Sequence, residues 1–257
     1  VNSVFLIEND AITLVTPSRL GYTFEGWYDD SSLSQPFTLT TMPALDVTVH
    51  AKWEAIDYTL SFEPNNGLTL SSITQGFESS LTLPTPERLG YTFDGWALDG
   101  TIVNYTAMPF GNQTLSALWT PIDYTLTFNS NGGTAIDSYT GAFESALTLP
   151  SPTRTGYTFR GWFESGARVQ YTSVPLGDKT LDARWTPNTY TLTMTNTVND
   201  ETDTITAAYG SPIVVPIYRL EGYTFRGWFE GGTNVNFSSM PLGDRTIRAV
   251  MEPNPYT

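Results

Sequence analysis

Hydrophobic and polar residues alternate in short runs along this chain, and the runs recur. Tyr58-Thr59-Leu60-Ser61-Phe62 puts an apolar side chain at every second position, the period of a strand with one buried face. Tyr124 to Phe128 and Tyr190 to Met194 repeat the pattern. Turn residues able to take positive φ follow, Asn65-Asn66-Gly67 and Asn131-Gly132-Gly133. A second strand is therefore expected to pair back near Ser72 to Phe77, Ile136 to Phe143 and Thr202 to Tyr209. Leu81-Thr82-Leu83-Pro84-Thr85-Pro86 and Leu147 to Pro152 come next. Two prolines so close forbid a ladder strand and give a stiff extended connection.

That connection leads into Gly-Tyr-Thr-Phe-x-Gly-Trp, at Gly21 to Trp27, Gly90 to Trp96, Gly156 to Trp162 and Gly222 to Trp228. In strict alternation Tyr91 and Phe93 share a face and Trp96 falls on the other. A β-bulge at the intervening glycine (Gly26, Gly95, Gly161, Gly227) would re-phase the strand and turn the tryptophan to the core. Alternatively, the tryptophan lies on a neighbouring loop. A variable polar loop follows at Asp29 to Gln35, Leu98 to Gly100, Glu164 to Gly166 and Glu230 to Thr233. A segment ending in Met42-Pro43, Met108-Pro109, Val174-Pro175 or Met240-Pro241 is then expected to hold at most one helical turn, such as Phe37 to Thr41. Gly111-Asn112, Gly177-Asp178 and Gly243-Asp244 signal a turn into a closing, edge-like strand. Its inward residues are Val49, Ala51, Trp53; Leu115, Ala117, Trp119; Leu181, Ala183, Trp185; and Ile247, Ala249, Met251. Four residues then separate one closing strand from the next first strand, as in Glu54 to Asp57, which implies restricted hinge motion.

The Gly-Tyr-Thr-Phe string recurs at steps of 69, 66 and 66 residues, the signature of a repeat array. The units are 1–54, 55–120, 121–186 and 187–252. In the first, Thr13 to Pro17 matches the proline connection and Val4 to Glu8 fits the second strand, leaving no residues for a first strand. Residues 253–257 reproduce the start of unit four, so a fifth unit is expected to begin there, and Val1 to Asp10 lacks the basic start and cleavage site of a signal peptide. Val1 is expected to lie inside a longer protein. A unit of this size buries only about 60% of its unfolded surface; contacts between neighbouring repeats are expected to supply part of the missing stability.

Composition narrows the chemistry. The net charge is −14, and the 257 residues include no cysteine and a single histidine. An acidic surface without a basic patch argues against nucleic acid and anionic membrane, and no stretch of about 18 apolar residues is present for membrane insertion. Absent cysteine removes disulfides, thiol catalysis and zinc–thiolate sites. His50 shares its slot with Ser116, Asp182 and Arg248; it reads as solvent-facing, without the partners that acid–base catalysis needs. Asp29-Asp30 and Asp200-Glu201 sit in loops that differ between units and lack a calcium-ligand run. No catalytic residue, metal site or cofactor is expected. One charged residue recurs in every unit: Arg19, Arg88, Arg154 and Arg219. Each either covers an aromatic face or pairs with a local acid, or the four form a row of anion or glycan contacts. The aromatic framework comprises Tyr22, Phe24, Trp27, Trp53; Tyr91, Phe93, Trp96, Trp119; Tyr157, Phe159, Trp162, Trp185; and Tyr223, Phe225, Trp228, Met251. It reads as core packing, with a sugar-binding platform the alternative.

These motifs, with Met42-Pro43 and Asp46 to Trp53 after the first, resemble the Listeria–Bacteroides repeat, typified by the B repeats of internalin B. The likeness covers all four units; Met251 in a tryptophan slot is the one departure in the core. The resemblance implies a mainly β (α+β) chain, a tandem array of small β-grasp-like repeat domains with at most a short helix each. It also implies a secreted or wall-attached bacterial protein in which the repeats act as a stalk or spacer. The expected partners are neighbouring repeats; adhesion to glycan or host protein through the variable loops is the alternative role, and strand-mediated self-assembly through the incomplete first unit is a further expectation.

Overall fold

The computed structural model describes residues 4–255. Its elements are all strands, and no helix occurs among the described residues. The chain forms two compact units, Val1–Ile122 and Asp123–Thr257, each holding two repeats. In the first unit the strands are β1 (Tyr22–Tyr28), β2 (His50–Ala55), β3 (Asp57–Glu63), β4 (Ile73–Gly76), β5 (Tyr91–Leu98), β6 (Thr101–Val103) and β7 (Gln113–Pro121). In the second they are β8 (Asp123–Asn129), β9 (Tyr139–Ala142), β10 (Tyr157–Glu164), β11 (Ala167–Val169), β12 (Lys179–Pro187), β13 (Thr189–Asn196), β14 (Thr202–Ala208), β15 (Tyr223–Glu230), β16 (Thr233–Val235) and β17 (Arg245–Pro253). Of the expected fifth-unit start, Tyr256 and Thr257 lie outside the described residues, as does Val1.

Each complete repeat is one five-stranded sheet, ordered β4-β3-β7-β5-β6, β9-β8-β12-β10-β11 and β14-β13-β17-β15-β16. The first strand is flanked by the second, antiparallel, and by the closing strand, parallel; Phe62 faces Leu115 in that parallel pair. The closing strand is thus the middle of the sheet. The edge-like placement expected of it is corrected: its inward residues are apolar because it is covered along its length. The first repeat has only β1 and β2. Val4 to Glu8 forms no strand there; among the described residues no first strand stands beside it to pair with.

The glycine between Phe and Trp is a bulge in all four repeats. Register slips between Phe24 and Gly26, Phe93 and Gly95, Phe159 and Gly161, and Phe225 and Gly227. These glycines hold φ from +117° to +148°, a region costly for other residues. The slip returns Trp96 to the Phe93 side, with ring centroids 5.6 Å apart, and Trp96 is only 2% exposed. Its indole N–H donates to the carbonyl of Pro84 at 2.7 Å; Trp162 and Trp228 do the same to Pro150 and Pro216. The proline connection therefore supplies the acceptor that lets a tryptophan be buried without an unpaired donor. On the closing strand, Trp119 and Trp185 donate to Pro64 and Ser130 carbonyls; Met251 fills the same slot with no donor to satisfy.

Three separate cores result, centred on Leu60, Leu126 and Leu192, each 0% exposed. The segment expected to carry a helical turn instead crosses the sheet as extended chain and drives Met108, Val174 or Met240 into the core; Phe37 to Thr41 is likewise non-helical. The post-tryptophan loop of the complete repeats is a tight hairpin joining β5 to β6, β10 to β11 and β15 to β16, its turn held by positive φ at Asp99-Gly100, Ser165-Gly166 and Gly231-Gly232.

Leu126→Ala should leave a cavity in the third repeat and lower stability by about 2–5 kcal/mol, read as a fall in the urea midpoint at unchanged slope. Amide exchange should accelerate most in β8 and β12, which pack on that side chain.

Candidate functional site

The repeated feature richest in specific contacts is the joint where one repeat hands the chain to the next. The four-residue linkers expected from the pattern are shorter in the structure. A single residue separates β2 from β3, β7 from β8 and β12 from β13: Ile56, Ile122 and Asn188. Within the first unit, the Ile56 N–H donates to the Gly21 carbonyl at 2.9 Å, and the Ile56 carbonyl accepts from Phe77 N–H at 2.9 Å. Within the second, Asn188 bonds Gly156 at 2.8 Å and receives Tyr209 N–H at 2.7 Å. The linker is thereby held as a strand would be, by both of its backbone groups.

An aromatic ring closes each of these joints. Phe77 lies over Gly21 and edge-on to Tyr22, centroids 5.7 Å apart; Tyr209 lies over Gly156 and edge-on to Tyr157 at 5.8 Å. A methyl group on either glycine would enter the ring. The first joint adds polar contacts: Tyr22 Oη donates to Glu78 at 2.6 Å, and Arg19 reaches Glu78 at 3.8 Å. The Glu78 bond holds the Tyr22 phenol above its ordinary pKa. In the second unit Gly210 stands where the first has Glu78. The ring on glycine and the two backbone bonds are common to both joints; the acid is not. Solvent-exposed ion pairs contribute little, so the common contacts dominate.

The recurrent arginines fall into two groups. Arg19, Arg88 and Arg154 stack on Tyr22, Tyr91 and Tyr157, with the guanidinium carbon 3.7, 3.8 and 3.9 Å from the ring centroid. Arg88 and Arg154 also donate to the carbonyls of Asn65 and Asn131 at 3.2 and 3.0 Å. Arg219 is one position out of step: Leu220 occupies the slot and supplies the carbonyl that Tyr223 N–H bonds. Spacing alone, which allowed two or three residues before the glycine, hid this difference.

His50 opens β2 opposite Tyr28 and is half-buried rather than solvent-facing. Asp30 organises its own loop. Its carboxylate accepts from the Ser32 hydroxyl and from the backbone N–H of Gln35 and Ser34, which together drive its pKa far down. No group of three or more His, Cys, Asp or Glu suited to a metal occurs among the described residues. Asn112, Asp178 and Asp244, read as turn residues, have a further role. Their Oδ1 atoms accept the N–H of Thr59, Thr125 and Thr191 at 2.9, 2.8 and 2.8 Å, fixing the first strand beside the closing one. A single recurring Asn/Asp after glycine does not betray this in sequence.

Three repeats carry an acid–base pair across the sheet: Glu25 with Lys52 at 2.6 Å, Glu164 with Lys179 at 3.1 Å, and Glu230 with Arg245. Glu164 is held below the usual carboxylate range by the Tyr171 hydroxyl and then Lys179; Glu25 and Glu230 are lowered by Lys52 and Arg245. Burial, then Glu164, pushes Tyr171 up to about 12.

Gly156 and Gly222 have nearly the same φ, +78° and +79°, but only Gly156 carries a ring, and nothing lies within 4 Å of a methyl at Gly222. Gly222→Ala should therefore cost about 1 kcal/mol of left-handed strain, and Gly156→Ala clearly more. Adding Tyr209→Ala to Gly156→Ala should recover part of the excess in a thermal-unfolding double-mutant cycle. The depressed carboxylates contribute stability above their ordinary pKa and lose it as acid protonates them. The urea midpoint should hold from neutral to about pH 5 and fall below it, with Glu164→Gln flattening that fall.

Comparison with known proteins places these features. The Listeria-Bacteroides repeat domain profile matches four times, at residues 5–52, 58–118, 124–184 and 190–250. A protein of Evansella cellulosilytica provisionally named a Gly-rich membrane protein is 31% identical over 226 residues, covering 83% of this chain and 26% of that protein. A second from the same organism, provisionally named a membrane protein, is 31% identical over 256 residues, covering 88% and 38%. Internalin H of Listeria monocytogenes is 37% identical over 115 residues, covering 42% of this chain and 21% of its own length. The chain thus spans well under half of each of these relatives. With four matches across most of its length, this chain belongs to the Listeria-Bacteroides repeat family.

Proposed function

We propose that this chain is a non-catalytic spacer segment of a bacterial cell-surface or secreted protein, its repeats setting the distance between a distal functional domain and the envelope. The observation that carries the reading is the joint. A flexible tether needs no defined contact between neighbours, whereas here a one-residue linker bonded on both sides and a ring seated on glycine recur in both units. Such contacts restrict bending between adjacent repeats, which is what a spacer requires and an enzyme does not. The charge surplus of −14 supports the same use, because like charge opposes collapse of neighbouring segments and self-association. The names of the relatives, membrane proteins and an internalin, support a surface location.

The post-tryptophan hairpins suit a second reading, adhesion, since their tips differ between repeats: Asp99-Gly100, Ser165-Gly166 and Gly231-Gly232. The two readings separate on repeat number against repeat identity. In the parent protein, deleting or duplicating one 66-residue repeat should change the reach of the distal domain, measured as accessibility of a terminal tag to antibody on whole cells. Exchanging hairpin tips between repeats should leave that reach unaltered. Loss of binding to a glycan array or host-cell surface on tip exchange, with reach indifferent to repeat number, would overturn the spacer reading in favour of adhesion.

A further inference from the structure

Tension on a chain of tandem repeats runs along the backbone, so a complete repeat is pulled at the start of its first strand and the end of its last. The second repeat receives the pull at Asp57 and passes it on at Pro121, the third at Asp123 and Pro187, the fourth at Thr189 and Pro253. Only Ile56, Ile122 and Asn188 stand between one repeat's last strand and the next repeat's first, so little slack separates the pulled points from the sheets. The two pulled strands are neighbours and run parallel. Leu60 to Glu63 lie beside Gln113 to Ser116, Leu126 to Asn129 beside Lys179 to Asp182, and Leu192 to Asn196 beside Arg245 to Ala249. Drawing β3 by its first residue and β7 by its last therefore slides one strand along the other. The evenly spaced bonds of a parallel ladder then take the strain together rather than in turn.

Three further features oppose that sliding. Neither pulled strand lies at an edge: β3 has β4 on its other side and β7 has β5, and the other two sheets repeat the order. Extracting either strand thus shears two ladders. Side-chain bonds also cross between the pulled strands beyond both ends of the parallel ladder. At one end Asn112 Oδ1 accepts the Thr59 N–H at 2.9 Å; at the other Asn65 Nδ2 donates to the Ala117 carbonyl at 3.2 Å. Asp178 and Asn131 do the same in the third repeat, and Asp244 and the Thr197 hydroxyl in the fourth. Finally, Leu60 and Leu115 are both fully buried on one face of the pair, and a slip of one residue would turn each out of the core.

We propose that the parallel pair is a shear clamp, which makes each complete repeat an element that stays folded when the protein is pulled along its length. The proposal rests on the spacer reading for the origin of the tension, since a segment between envelope and distal domain is stretched whenever that domain is held. A repeat that gave way would lengthen toward about 3.4 Å for every residue released, and the distance it sets would be lost. The clamp keeps that distance fixed under tension, whereas the joints restrict bending.

The test pulls single molecules in two directions. The chain has no cysteine, so handles are attached through introduced thiols. Pulled from the two ends of the 257-residue chain, each complete repeat should unfold as a separate event, lengthening by about 20 nm at roughly 3.4 Å per residue. Handles at Asp57→Cys and Thr120→Cys shear the second repeat alone. Handles at Asp57→Cys and Gln113→Cys part the same two strands from one end, bond by bond. Forced unfolding follows the unfolding rate rather than the equilibrium stability, so the sheared pair should hold at least about two-fold more force than the parted pair. Urea midpoints of the two double variants, measured without load, correct for any difference in stability. Equal forces in the two directions, or chain-end unfolding of the complete repeats at the force of the parted pair, would overturn the clamp. The spacer reading survives that result, because reach on unstretched cells depends on repeat number alone; reach indifferent to repeat number would sink the spacer and leave the measured clamp intact.

Discussion

The parallel pairing of each repeat's first strand with its last holds the unit together. Phe62 against Leu115, Phe128 against Leu181 and Met194 against Ile247 tie the two ends of some 60 residues of chain side by side, at the centre of the apolar face. Everything between them, the hairpin partner, the proline connection, the bulged Tyr-Thr-Phe strand, is packed on or hydrogen-bonded to that pair. The pairing also fixes direction. Because first and last strands run the same way, the chain enters at one end of the sheet and leaves at the other. A single residue then suffices to begin the next sheet. An antiparallel pairing would have returned the chain to its entry point and required a long connection.

The joint follows from that geometry. With the exit at the far end, Gly21 or Gly156 is brought under the second strand of the next repeat, and only a residue without a side chain leaves room for the ring above it. The motif glycine thus has two uses that are hard to separate in sequence: a left-handed turn before the strand and a seat for a neighbour. The bulge glycine a few residues later has a different one, moving the tryptophan to the side where the proline connection offers its carbonyl. The two glycines of one heptapeptide serve the outside and the inside of the repeat respectively.

Strand positions were legible because half-buried strands write their alternation directly into the chain, and four copies removed the ambiguity that one short run leaves. The bulge was legible for the same reason: alternation fails at one residue, and a glycine sits there. Four things were not. The closing strand was read as edge-like because its inward residues alternate with polar ones; the sequence carries no mark of which strand sits in the middle, as that depends on non-local pairing. The Met-Pro segment was read as a helical turn, whereas Met108 and Met240 plug the core from extended chain, a tertiary demand that overrides local propensity. The hairpin at Asp99-Gly100 looked like a variable loop because only three residues follow it as strand. Likewise, the arginines looked equivalent by spacing, and only the structure separates Arg219 from the three that lie on tyrosine.

The single-residue handover has a consequence for how such a chain changes in length. The seams at Ile56 and Asn188 use the same two backbone bonds and seat a ring on glycine, so the handover itself does not tie a repeat to one particular neighbour. Recombination between misaligned copies of the coding sequence, wherever within the period it falls, yields a product whose hybrid unit still has both flanking strands and a ring above its glycine. Gain or loss of whole modules is then close to neutral for folding, and natural selection is free to adjust the count alone.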